Sequence, residues 1–539
     1  MIDEKRIKRD ILRGSTWLTA EQISATILGL VYMTLLLRFV GPYNYGIFAV
    51  ALAVIALSQI GTLNFESALA RFIPEYEVKK SYFEIKKLIM TSFALKFILS
   101  SSITLLVFSL SKNIAYYYHI DQLANLLGIF SILIVVNSFN ALINQSLFGF
   151  QYYKHLFILS AWNQVLGIIA VVVSIFFQYT LLNTGKMIVF ANCIGAITGI
   201  FILFILLYQK SNKSNNIQKI SNKKLLERVI PFILPLSVSM ALYTIYLNIG
   251  KVILGYFFMP EIVGYFSFSM ATVERIVGVV SRSNASLLPP MSQIHAQGNK
   301  KMLEKVIITG TRYISMIAFI FLVLIVIFSK ELVILVGGAK YLPAVILLHI
   351  LSFQILFRLP SQVLGTVFYV YEKTTTMMLV NLAKIVFELS AYLILIPLIN
   401  VKGAVMAHVL GYILSFFISL QIVNGLIYTT SNPMKNEILK LSFKLLVLSI
   451  VAFLIAILLD SIVFTIGIFL KILFVIIYLF AVFILGKVIT IDDIVFAENI
   501  KFNSKIINTY KDGILWKFKN IYLLVNGRKN VVKIISNRF

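Results

Sequence analysis

The chain has 539 residues, 59% hydrophobic and 13% charged, with a formal net charge of +26. Soluble domains are about 45–50% apolar and about 25% charged, so this composition excludes a soluble globular protein and reads as an integral membrane protein. The positive charge does not point to nucleic acid, because no basic stretch forms an aromatic-studded module; lysines gathered in cytoplasmic loops account for it, and some of them hold anionic headgroups.

The N-terminal segment MIDEKRIKRDILRG is charged. The apolar run behind it is too long for a signal-peptide core and no small-residue cleavage site follows, so the segment is expected to be retained. A membrane crossing needs about 20 mostly apolar residues. About fourteen such spans follow, near 15–38, 44–70, 86–109, 122–150, 156–179, 186–208, 230–257, 262–289, 306–329, 343–371, 375–397, 402–427, 439–460 and 463–486. Barrel strands would be about ten residues long and alternating, which nothing here is. The expected fold is therefore all-α.

Basic residues alternate between loops. Lys5, Arg6, Lys8, Arg9 and Arg13 fall on one side, with Lys79, Lys80, Lys86, Lys87, Lys154, Lys210 to Arg228, Lys300, Lys301, Lys305, Lys373, Lys435, Lys440 and the tail. The other side holds only Lys112, Lys186, Lys330, Lys340 and Lys402. The positive-inside rule then places both termini in the cytoplasm and makes the number of spans even.

The stretch 38–76, RFVGPYNYGIFAVALAVIALSQIGTLNFESALARFIPEY, returns in outline at 257–290. Pro260 and Gly264 follow Pro42 and Gly46 at the same offset of 218 residues, and Pro290 follows Pro74 at 216. Lys154 and Lys373, Ala191 and Ala407, and Gly195 and Gly411 keep a similar spacing. Two six-helix halves follow, parallel repeats related by a pseudo-two-fold along the membrane normal, plus two C-terminal helices. The expected divisions are 1–208 for the first bundle, 209–229 for a basic cytoplasmic linker and 230–428 for the second bundle. Two additional helices take 429–488, and a basic cytoplasmic tail takes 489–539, with room for an amphipathic surface helix.

An ionisable side chain at mid-bilayer costs about 2.5–3.5 kcal/mol on insertion scales, so such residues face protein or water. Glu21 lies near the inner end of the first span, Glu66 and Arg71 near that of the second, and Lys96 near the middle of the third. In the second half Glu274, Arg275 and Arg282 share the eighth span. Arg275 and Arg282 are two turns apart on one face, which Gly278 leaves roomy. Arg358 is central in the tenth span beside Pro360. Lys384 and Glu388, at i and i+4 in the eleventh, are placed to pair; a structural ion pair and a cavity-facing pair are both open. Arg38 and Lys251, near outer ends, are placed to snorkel. Arginines with few balancing acids suggest an anionic passenger, because the guanidinium fork suits phosphate. Prolines 231, 235, 289, 290 and 360 suit kinked helices in a moving machine.

Other chemistries find no residues. Cys193 is the sole cysteine, so no disulfide or cysteine metal site can form within one chain. There is no phosphate-binding G-x-x-x-x-G-K-[ST] loop and no H-E-x-x-H. His119, His155, His295, His349 and His408 are scattered, and the adjacent acids Asp492 and Asp493 lie in the tail. The chain is expected to be no enzyme, with no cofactor and no metal beyond a possible coupling ion, H+ or Na+.

Leu12-Arg13-Gly14-Ser15 entering the first span, the turn Arg38-Phe39-Val40-Gly41-Pro42-Tyr43-Asn44-Tyr45-Gly46 and the helix end Phe72-Ile73-Pro74-Glu75-Tyr76 carry a resemblance. Over about residues 8–490 the chain resembles the multidrug/oligosaccharidyl-lipid/polysaccharide exporter superfamily, in its polysaccharide biosynthesis branch of Wzx-type flippases. That resemblance implies a V-shaped pair of bundles around a cavity open alternately to each side. It also implies transport of undecaprenyl-pyrophosphate- or dolichyl-linked oligosaccharide across the cell membrane by a monomer, with association with polysaccharide assembly machinery left open. Related lipid II flippases bind pyrophosphate in a cationic cavity, a role open here to Arg275, Arg282 and Arg358. Those relatives also hold sodium between acids of the seventh and eleventh spans. Here the seventh has no acid and the eleventh carries Lys384, which leaves proton or membrane-potential drive equally open. The alternatives are a cation-exporting multidrug transporter, whose cavity should be acid-rich, a lipid II-type flippase, and a membrane scaffold that transports nothing.

Overall fold

The computed structural model describes residues 4–211, 222–284, 287–427, 433–459 and 464–484. Residues 212–221 of the expected linker, the tail with Asp492 and Asp493, and the side chain of Arg282 lie outside the described residues. Among the described residues all regular structure is helical. The helices are α1 (Glu4–Ser58), α2 (Phe65–Val78), α3 (Tyr82–Tyr118), α4 (Asp121–Phe130), α5 (Ile132–Gly149), α6 (Tyr153–Phe176), α7 (Leu181–Ser211), α8 (Asn222–Phe257) and α9 (Pro260–Asn284). They continue with α10 (Leu288–Ala296), α11 (Lys300–Ile327), α12 (Ser329–Val336), α13 (Ala344–Val370), α14 (Thr374–Ile399), α15 (Val401–Ile427), α16 (Pro433–Leu459) and α17 (Phe464–Ile484).

Eleven helices among the described residues are long and apolar enough to cross a membrane. They match the expected fourteen spans once three local features are read. The first two expected spans run on as one helix, broken at Gly41, where φ is +73° and ψ 172°. Glycine adopts that conformation at no steric cost, and Pro42 then opens the second limb where its missing N–H is not needed. The eighth expected span is α9, whose Glu261, Glu274 and Arg275 lower its apolarity. The fourteenth is α17, apolar over Ile468–Val482. Bulky apolar side chains such as Leu105, Phe108, Phe201, Phe204 and Leu393 face outward, the pattern of a protein whose solvent is lipid.

By contacts the chain groups into two compact units. The first holds Met1–Ala285, Glu331–Leu351 and Tyr371–Ile418. In it α1 packs against α6, α8 and α9; α3 lies on α4 and α5; and α2 packs on α5. One core joins Phe65, Leu69, Phe72 and Ile73 of α2 to Leu88 of α3, Leu147 of α5 and Ile233 of α8. The repeated turn closes on itself here. A Cβ on Gly46 would strike the carbonyl of Pro260, and one on Gly264 would strike the carbonyl of Pro42. Only residues without a side chain let the two helix starts approach this closely, which explains why both copies carry glycine four positions after proline. Arg38 donates to the carbonyl oxygens of Ile334 (3.1 Å) and Leu335 (2.7 Å). It thus neutralises the C-terminal end of α12, a more specific role than snorkelling.

The second unit holds Ser286–Lys330, Ser352–Val370 and Ser419–Phe539. There α10 packs on α11, and α11 on α16 and α17. Pro289 and Pro290 begin α10 rather than end α9, as suits a residue whose absent N–H is an orphan in any first turn. Arg358 and Lys471 are both buried within this unit. The grouping by contacts and the division by sequence repeat are different partitions of the chain.

Candidate functional site

The second expected span, 44–70, is not one helix. α1 ends at Ser58, a 3-10 turn covers Gln59–Thr62, and Leu63 takes a left-handed φ of +55°. α2 restarts behind Asn64, whose side chain accepts from the Ser67 N–H (3.3 Å) and hydroxyl (2.8 Å). A broken helix inside a membrane leaves backbone groups that water cannot satisfy, so such breaks sit where protein or a cavity serves them. Both remedies are present. The Asn64 N–H donates to Ser237 Oγ of α8 (2.8 Å), and Lys96 Nζ of α3 donates to the Leu63 carbonyl (3.1 Å).

Beside the break lies a partly open pocket with a volume of about 120 Å³. Its polar lining includes Gln59, Asn64, Glu66, Lys96, Asn137, Ser237 and Thr244. Lys96 is 2% exposed and forms a salt bridge with Glu66 Oε2. The pair cancels its own charge, so the pocket is rich in amides and hydroxyls yet close to neutral. The Gln59 amide nitrogen is buried with no hydrogen-bond partner, which leaves a donor for an occupant. Glu66 and Lys96 were expected as site residues separately, and the fold brings them together. Arg71, expected beside them, is well exposed on α2 and pairs with Glu75 (3.5 Å). Glu75 is held to α8 by a two-pronged contact from Arg228, 2.8 Å to each oxygen. Those bonds, with a further one from Lys79, pull the Glu75 carboxyl down to about 2.

A second locus is Arg275 on α9. It is half-buried, with the neutral phenols of Tyr32 and Tyr45 near it. No carboxylate among the described residues pairs with it. Its guanidinium lies so close to Gly29 that any Cβ there would meet it. Glu274, one residue away, acts on Lys251 of α8, which also donates to Asn248 Oδ1 (3.2 Å). Glu21 accepts from the Ser160 hydroxyl at 3.0 Å. Arg358 belongs to the other compact unit.

A third locus joins α8, α14 and α15. Glu388 Oε1 accepts from the Tyr392 hydroxyl (2.6 Å) and from His408 Nδ1 (2.6 Å). His408 Nε2 lies 2.6 Å from the Tyr246 hydroxyl. Lys384 acts on Glu388 by charge, while its Nζ lies 3.3 Å from the ring centres of both Tyr246 and Tyr412. The i, i+4 spacing thus found two members of a cluster whose other four come from three helices. In sequence His408 stood as one of five scattered histidines, although a lone histidine in a mostly apolar span is the signal that could have found the rest.

The family described as polysaccharide biosynthesis protein matches residues 11–295, more than half of the chain, and the MatE family matches 235–393. A search of curated protein sequences found no match. Among solved structures, the lipid II flippase MurJ in an inward closed conformation is 16% identical with a TM-score of 0.66, covering 87% of this chain and 99% of its own. An inward-facing multidrug resistance transporter of the MATE family is 14% identical with a TM-score of 0.62, covering 76% and 96%. A transporter from Pyrococcus furiosus Vc1, whose binding pocket is described as of reverse polarity, is 15% identical with a TM-score of 0.53, covering 78% and 97%. At these identities the likeness is one of fold, an all-α multi-pass membrane architecture. With its N-terminal half matched throughout and this fold in place, the chain belongs to the polysaccharide biosynthesis protein family of the multidrug/oligosaccharidyl-lipid/polysaccharide exporter superfamily.

Proposed function

We propose that this chain is a flippase that carries a lipid-linked, phosphate-bearing oligosaccharide precursor across the cytoplasmic membrane, from the inner to the outer face. It works by alternating access of the halves 1–208 and 230–428, with both termini cytoplasmic. The observation that carries this reading is Arg275: a half-buried guanidinium among phenols, with no acidic partner among the described residues. Such a cation is offset most strongly by an anion that its planar fork can grip in two places, as a phosphate or diphosphate can be. The near-neutral pocket of Gln59, Asn64, Asn137, Ser237 and Thr244 offers donors and acceptors that match sugar hydroxyls, while the lipid tail stays in the bilayer. A cation exporter would want surplus carboxylates, and here Glu66 and Glu388 are each engaged by basic groups.

The test is headgroup protection in proteoliposomes, comparing a lipid-pyrophosphate-linked sugar with a cationic dye. Wild-type protein should move the former and not the latter. Arg275→Ala should lower flipping by at least about tenfold, the loss of one charge-assisted contact of about 1.5–3 kcal/mol, with folded protein retained, and Arg275→Lys should restore part of it. Wild-type flipping by Arg275→Ala, or transport of the dye alone, overturns the reading.

A further inference from the structure

The cluster of Tyr246, Lys384, Glu388, Tyr392, His408 and Tyr412 is not used by the substrate reading above. Every one of these side chains is 7% exposed or less. Burying an acid, an ammonium and an imidazole together inside membrane-crossing helices is expensive, and apolar residues of the same volume would hold three helices together without that cost. Two details separate the cluster from a finished structural network. Glu388 Oε2 is buried with no hydrogen-bond partner although Oε1 accepts twice. The Lys384 ammonium is seated over two tyrosine faces, a cage of the kind that receives cationic ligands.

We propose that this cluster is a one-proton binding site in which the Lys384 ammonium is a tethered cation filling the tyrosine cage, and the His408–Glu388 pair takes up and releases the proton that drives transport. The role in driving transport rests on the transporter reading; the proton site itself does not.

The chemistry follows from the contacts. With the imidazole neutral, Nδ1–H donates to Glu388 Oε1 and Nε2 accepts from the Tyr246 hydroxyl. A proton from bulk water adds to the imidazole, so both ring nitrogens donate and Tyr246 turns to accept; alternatively it rests on the unpartnered Glu388 Oε2. No other bond forms or breaks. The groups facing the pair are Tyr246 from α8, Lys384 and Tyr392 from α14 and Tyr412 from α15. Their charges sum to zero with one acid, one ammonium and a neutral imidazole, and to one positive charge after uptake. A change of one full charge in a buried site biases whichever conformation exposes the cluster to water. A metal ion would have to share the cage with the ammonium. Among the described residues no group of three or more His, Cys, Asp or Glu side chains is arranged to hold one.

The experiment uses the purified full chain in lipid nanodiscs. Thermal stability is read from pH 5 to 8, in sodium chloride and in choline chloride at equal ionic strength. The wild type should respond to pH and not to the exchange of sodium for choline. A proton bound in only one state shifts the equilibrium by up to about tenfold per pH unit. His408→Asn keeps a donor toward Glu388 but cannot titrate, and should lose the pH response. Lys384→Ala empties the cage, and millimolar methylammonium should restore stability to that variant while leaving the wild type unchanged. Specific stabilisation of the wild type by sodium, a wild type indifferent to pH, or an unchanged pH response in His408→Asn overturns the proposal. The wild-type arms decide the matter even if both variants fail to fold. None of these measurements involves a lipid-linked sugar, so their failure and the failure of the substrate reading are separate events.

Discussion

Replacing Glu66 with glutamine strands the Lys96 ammonium inside the protein. The two partners are unequally exposed, 3% for the Lys96 side chain and 21% for Glu66. Breaking a buried pair from one side costs about 3–5 kcal/mol when the remaining charge stays uncompensated. Lys96 keeps the Leu63 carbonyl at 3.1 Å, and a glutamine oxygen could accept in place of the carboxylate, so Glu66→Gln should cost about 3 kcal/mol, the low end of that range. The reverse change leaves a carboxylate that borders the pocket and can be reached by water. Lys96→Met should therefore cost less, about 1–2 kcal/mol, for one lost charge-assisted hydrogen bond. The double variant, with no charge left to strand, should be more stable than Glu66→Gln alone. Unfolding in matched nanodiscs ranks the four proteins. Equal losses in the two single variants, or a double variant that sums them, would refute the reasoning, because both outcomes mean the ammonium is not held in a desolvated place.

The reciprocal glycines give a second measurement. In Gly46→Ala and in Gly264→Ala the new methyl meets a backbone carbonyl that cannot rotate away. Overpacking of about 1–3 kcal/mol should outweigh the helix-propensity gain of about 1 kcal/mol, and a rise in stability in either variant contradicts the close approach. In Gly29→Ala the methyl meets only the movable end of Arg275, so the protein should fold normally while flipping falls several-fold in the headgroup-protection assay. At the surface, the Glu75 carboxyl is held down to about 2 by Arg228 and Lys79. Its folded value lies below its unfolded one, so the contribution is present above about pH 4.5 and is lost as pH falls toward 2. Arg228→Ala should flatten the wild type's loss of stability in that acid window, and since Arg71, Lys79 and Arg228 are well exposed, high salt should weaken the contribution as well.

The covalent chain already contains much of this protein. Apolar run length against bilayer thickness gave the spans, because a segment of about 20 apolar residues has nowhere else to go. The Pro42–Gly46 and Pro260–Gly264 pairs were visible as a repeat, and their reason became visible only in space, where each glycine admits the other copy's proline carbonyl. The break at 59–64 was hidden, since Gln59, Gly61 and Asn64 are tolerable within an apolar run until Lys96 and Ser237 arrive from other helices to serve the freed backbone. The same holds for the charged residues. Spacing put Lys384 and Glu388 on one face of a helix, but a helical period says which side of a helix is special and not what stands across from it. Tyr246 and His408, more than 160 residues apart in sequence, and Arg275 beside Tyr32 and Tyr45 meet through packing between helices. That packing is set by side-chain shape and close backbone approach, and neither is written in the order of polar and apolar residues along one helix.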